Sequence, residues 1–102
     1  MSRSATSQFE RALCAAAERA GCPVTIASSS STRWASATFV GERHMLTLSG
    51  VATSALDVWL DSLPEAEWEL CGHLVADLCV GARKRCDDQL EVELEALTVE
   101  DR

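Results

Sequence analysis

Apolar residues along this chain recur with two different periods, and each period predicts a different kind of element. Phe9, Leu13, Ala16 and Ala20 fall on one helical face. Ser7-Gln-Phe-Glu10 in front of them has the form of a capping box, in which Ser7 and Glu10 satisfy each other's backbone N–H groups. Gly21 and Pro23 stop the run, so a first helix is predicted from about Gln8 to Ala20. A second helix follows Ser49-Gly50, capped by Thr53 or Ser54 and ended by Pro64. Leu56, Trp59, Leu60 and Leu63 form its apolar stripe, and Asp57 and Asp61 point away.

The rest of the chain alternates with period two. Val24, Ile26 and Ser28 suggest a first strand, and the small polar run Ser28 to Thr32 reads as a loop or a frayed strand end. Trp34 to Ser49 reads as a hairpin about Gly41-Glu42, since a type II′ turn wants glycine first, where φ is positive. That hinge pairs Val40 with Arg43, Phe39 with His44, Ala37 with Leu46 and Ala35 with Leu48. One face then holds Ala35, Ala37, Phe39, His44, Leu46 and Leu48. The other holds Trp34, Val40, Arg43 and Met45, with serines and threonines between them. Glu65 to Leu70 is ambiguous, because Trp68 and Leu70 alternate with Glu67 and Glu69 and allow a short strand.

His73 to Arg83 predicts a long strand, with Leu74, Ala76, Leu78, Val80 and Ala82 on one face and Val75, Asp77 and Cys79 on the other. Leu90, Val92 and Leu94 against Glu91, Glu93 and Glu95 give the cleanest core-against-solvent strand. Leu97 and Val99 then break its phase, and a bulge near Ala96 would restore it. The predicted order is α-β-β-β-α-(β)-β-β. Hairpin-length connections make the sheet antiparallel. Two helices on one side of it make an α+β two-layer sandwich, and 102 residues make one domain, 1–102.

Charge narrows the partners. The net charge is −7. Residues 1–50 carry five Arg against three Glu, whereas residues 51–102 carry four basic against thirteen acidic residues. Such an acidic half argues against phosphate-driven nucleic-acid binding and against an anionic membrane surface. No apolar run is long enough to span a bilayer. Glu10, Arg11, Glu18 and Arg19 interrupt the N-terminal alanines, which excludes a signal-peptide core there. The expected compartment is the cytoplasm, with the five cysteines as free thiols and none in a Cys-x-x-Cys motif.

Candidate chemistry is sparse. His44 on an apolar face could act as a base or a ligand, but a core-edge histidine bonded to the backbone is the favoured reading. Cys71-Gly-His73 puts a thiol and an imidazole two residues apart, as half a zinc site or a nucleophile pair would require. No further ligands follow at a metal-site spacing, and no oxyanion hole is readable, so a turn at Gly72 is preferred. Asp77, an acid in mid-strand, faces solvent, pairs with Arg43 or Arg33, or binds a ligand, and the cross-strand ion pair is the favoured reading. Arg83-Lys-Arg85 reads as a solvated strand end. No phosphate loop, nucleophile elbow or metalloprotease motif occurs, so no cofactor, metal or catalysis is expected. The stronger lead is apolar: Trp34, Val40, Met45, Val75 and Cys79 are predicted on the sheet face away from the helices. That face is an expected interface with a protein partner, favoured as a second copy in a homodimer.

Two resemblances add to this. Trp34-Ala-Ser-Ala-Thr-Phe-Val-Gly-Glu-Arg-His44, Leu63-Pro64-Glu65 and Gly72-His-Leu-Val-Ala-Asp77 resemble a set of short bacterial proteins without assigned activity, over about residues 30–80. The element order and acidity are similar to class I type III secretion chaperones, which implies a small acidic dimer that binds unfolded segments. The chain departs from them in having no third helix after its last strand. The remaining alternative is a small hydrolase or a ligand or metal binder using His44, Cys71, His73 and Asp77.

Overall fold

The period-two segments form four long strands, and the helical ones form two helices. A computed structural model describes residues 4–101. The order is α1 (Ala5–Arg19), β1 (Val24–Ala35), β2 (Val40–Val51), α2 (Ser54–Ser62), a 3₁₀ turn (Leu63–Glu65), β3 (His73–Cys86) and β4 (Gln89–Glu100). All neighbouring strands are antiparallel, and the spatial order is β1-β2-β4-β3. This is an α+β fold, an open sheet with the helices lying on it.

The segments that fit the simple period follow it closely. β4 alternates along its whole length, with Leu90, Val92, Leu94, Ala96 and Thr98 buried. In β2, His44, Leu46 and Leu48 are buried while Arg43 and Met45 are exposed. α2 buries Leu56, Trp59 and Leu60, and Thr53 caps it by accepting from Leu56 N. These side chains join Phe9, Leu13 and Ala17 of α1 in a single core between helices and sheet.

Four local expectations are corrected. The hinge of the β1–β2 hairpin is Ser36 to Phe39, not Gly41-Glu42, and Ala35 pairs with Val40 across it. Ser36 Oγ accepts from Phe39 N at 3.0 Å and Thr38 N at 3.3 Å, a serine-built turn. Gly41 is a strand residue, and its φ is not in the positive region that a type II′ turn demands. A Cβ there would stand 1.9 Å from Thr98 O and 3.0 Å from the Trp34 ring, so close approach is what calls for glycine. The second correction is Ser28 to Thr32, which is strand: it pairs with Arg43 to Thr47 and makes β1 one continuous element. Three strands before α2 therefore become two.

Third, β4 has no bulge near Ala96; the irregularities lie in its neighbour β3, at Ala76 and at Gly81-Ala82, and in β1 at Ala27. Leu97 and Val99 are in phase and simply face outward. Fourth, α1 starts earlier. Ser4 Oγ accepts from Ser7 N, so Ser4 rather than Ser7 is the cap, and buried Ala5 secures the extra turn. No strand forms over Glu65 to Leu70 beyond one bridge from Leu70 to His73. Trp68 turns inward there and meets the Phe9 ring edge-on at 5.7 Å.

The two edges of the sheet differ. β3 carries two bulges, and its Arg83 reaches across to α2, 3.3 Å from Asp57 and 2.9 Å from Asp61. That residue therefore ties a helix to the sheet instead of only solvating a strand end. β1 presents five small uncharged residues, Ser28 to Thr32, between its bulge and Arg33.

Candidate interaction surface

Directly paired residues of an antiparallel sheet share a face, so the registers assign every side chain to the helix side or the bare side. One row of the bare face runs Trp34, Gly41, Val99, Leu74, and the next runs Thr32, Arg43, Leu97, Asp77. The third runs Ser30, Met45, Glu95, Cys79. Beyond it the face turns polar, with Thr47 beside Glu93 and Ser49 beside Glu91. The bare face is thus apolar at the end nearest the β1–β2 turn and acidic at the other.

Trp34 dominates the apolar end. Its ring lies over Gly41, and Thr32, Trp34, Arg43 and Leu97 line a shallow depression of about 560 Å³. Its indole N–H is buried and has no acceptor among the described residues. A buried donor left unpaired costs about 1–3 kcal/mol. Met45 and Leu74 are 51% and 54% exposed, large values for residues of an apolar surface.

Of the five residues predicted for this interface, Trp34, Met45 and Cys79 lie on the bare face by register. Val75 does not: it pairs with fully buried Thr98 and packs against the core. The bulge at Ala76 is the cause, because an extra residue reverses the phase of everything before it. Leu74 takes its place outside. Val40 opens β2 in the same phase as buried His44, so it belongs to the helix side. Leu97, Val99 and Leu74 are the members that sequence reasoning missed; the lost alternation after Glu95 was their signal.

The residues considered for ligand chemistry are divided between the faces. His44 is wholly buried on the helix side. Its Nε2 is 2.9 Å from Thr98 Oγ1, its Nδ1 is 3.3 Å from Thr6 Oγ1, and Phe9 stacks obliquely against the ring. Burial holds the imidazole below its ordinary pKa, against the opposing pull of Glu42. Glu42 Oε2 is buried without a hydrogen-bond partner among the described residues, 4.0 Å from His44 Nε2. Glu42, His44 and Thr98 resemble a relay only in composition: acid and hydroxyl approach the same ring nitrogen, and the hydroxyl is sealed from solvent.

His73 lines a neighbouring cavity of about 190 Å³ with Arg33, Glu42 and Glu100 at the start of α1. Cys71 is exposed, and its backbone N–H and carbonyl are both held by the Gln8 side chain. Gly72 has φ +80, a turn as expected. Asp77 is on the other face. It makes no ion pair with Arg33 or Arg43, which pair with Glu100 and Glu95 instead. Its carboxylate accepts from Leu78 N at 3.0 Å and from the Cys79 thiol at 3.7 Å. The Asp77 charge raises the Cys79 pKa, which works against a reactive thiolate. No cluster of three metal-binding side chains occurs among the described residues. No helix among them is long and apolar enough to cross a membrane.

No protein-family model matches the chain, and neither a curated protein nor a solved structure does.

Proposed function

We propose that this protein acts by protein–protein contact, without catalysis, and that the bare sheet face is where the contact is made. The observation that carries this reading is the apolar end of that face, where Trp34, Leu97, Val99, Leu74 and Met45 meet with a buried indole N–H left unpaired. A protein chain laid over it would remove this apolar surface from water. Glu91, Glu93 and Glu95 on the same face repel phosphate, which favours a protein over nucleic acid or an anionic bilayer. Chaperone-like capture of an unfolded segment is a special case of the same reading.

Photo-crosslinking in the producing cell tests it. A benzophenone amino acid at Trp34 is expected to give a discrete adduct, and the same group at Val58, exposed on α2, is expected to give none. Adducts confined to Val58 would overturn the proposal.

A further inference from the structure

Resting on the reading of the bare face as an interface, we infer that its occupant is a second copy of this chain, stacked face to face about a two-fold axis parallel to the strands between β2 and β4. The strand order selects this axis. With β1-β2-β4-β3, a half-turn about the middle of the sheet lays β4 of one copy over β2 of the other, and β3 over β1. Rows are kept in step. Met45 then faces Glu95 of the second copy, Thr47 faces Glu93, and Ser49 faces Glu91. Each glutamate of the acidic column then faces a β2 residue, and the two columns are offset by one strand spacing instead of directly opposed. An axis across the strands would instead lay β4 on its own copy and bring that column against itself, at the cost that like charges impose on an interface.

The apolar end also matches under this operation. Trp34 lies over Leu74, Gly41 over Val99, and Arg43 over Leu97. The Trp34 ring, which covers Gly41, is the surface that Leu74 and Val99 of the facing sheet meet there. Strands about 4.8 Å apart, with about 3.4 Å per residue, give four strands of about twelve residues a face of roughly 700–800 Å², which is about what one partner contributes to a standard stable interface. Stacked sheets sit about 10 Å apart and turn by about 30°, so the match is closest in the central rows.

Two measurements test this. Sedimentation at high micromolar concentration is expected to show a dimer. Met45→Glu, which sets a carboxylate against Glu95 of the facing copy, is expected to weaken it at least about tenfold. Met45 is exposed in the single chain, so the variant's melting curve shows whether the fold is kept. The second measurement reads the axis. With Cys71 and Cys86 changed to serine, Cys79 remains as the exposed thiol among the described cysteines. Ser30→Cys in that background is expected to give covalent dimers with a short bismaleimide, because Ser30 and Cys79 exchange places under the half-turn. Thr25→Cys, two rows along, is expected to give none.

A monomer in sedimentation overturns the inference. So does a dimer that is indifferent to Met45→Glu, or one without the Ser30–Cys79 bridge. A monomer that still gives a Trp34 photo-adduct with a different protein overturns only the second copy; loss of that adduct as well overturns the interface reading beneath it.

Discussion

The two faces of this sheet are built from the same four strands, yet they obey different rules. The helix-covered face is apolar over most of its length, as Leu90, Val92, Leu94 and Ala96 show along β4, and turns polar only near the β1–β2 turn, where His44 and Thr98 are buried. The bare face changes character half-way: the same strand gives Glu91, Glu93 and Glu95, then Leu97 and Val99. Polar groups on a covered face cost stability unless paired, so they are confined to the few around His44 and Thr98. A bare face in water has no need of apolar residues. Where it becomes apolar, the chain's own fold does not explain it, and that asymmetry is what the proposed interface rests on.

The sharpest way to break this comparison is to cut one side chain on each face. Leu94→Ala empties a fully packed position and is expected to cost about 2–5 kcal/mol in urea unfolding. Met45→Ala, measured in dilute solution, is expected to stay within about 0.5 kcal/mol. Equal losses would mean that the bare face belongs to the single chain's own stability. A pH series sharpens the covered side. His44 is neutral and buried, with its folded pKa depressed by desolvation. The unfolded chain therefore binds the proton more readily. His44's contribution is complete above about pH 6.5, the ordinary value for imidazole, and is lost as pH falls through the folded value. Urea midpoints at about pH 7.5 and 5.5, on either side of that ordinary value, are expected to differ more for the wild type than for His44→Gln. A small effect also belongs to Arg83, whose ties to Asp57 and Asp61 are solvent-facing. Arg83→Gln is expected to cost at most about 1 kcal/mol and to speed amide exchange at the outer turn of α2 without moving β4.

Much of this arrangement was legible in the letters. Strand parity is internal to a strand, so β2 showed His44, Leu46 and Leu48 inward whichever turn preceded it. Moving the hinge from Gly41-Glu42 to Ser36–Phe39 shifts the β1 partner by an even number of residues, so Trp34 kept its face. Val40 did not, because the new hinge transfers it from one strand to the other. Bulges are the features that period-two reasoning cannot place. Apolar Leu97 and Val99 suggested a bulge in β4, but β4 is regular there and they face outward; the bulge in this part of the sheet is in β3, at Ala76. The serine run is illegible for another reason. It has no apolar member, and strand pairing with β2 overrides its weak local preference. The candidate site suffered most from this, since Val75 and Leu74 exchange roles on a single bulge.

That serine run has a practical consequence for handling the protein. Ser28 to Thr32 is an unpaired edge without charge, proline or kink, flanked by a bulge on one side and Arg33 on the other. The opposite edge is guarded by two bulges and the Arg83-Lys-Arg85 charges. Natural sheets suppress end-to-end growth with such guards. Edge-to-edge association on concentrating the chain is therefore expected at β1, and a lysine placed in the Ser28 to Thr32 run is expected to raise solubility.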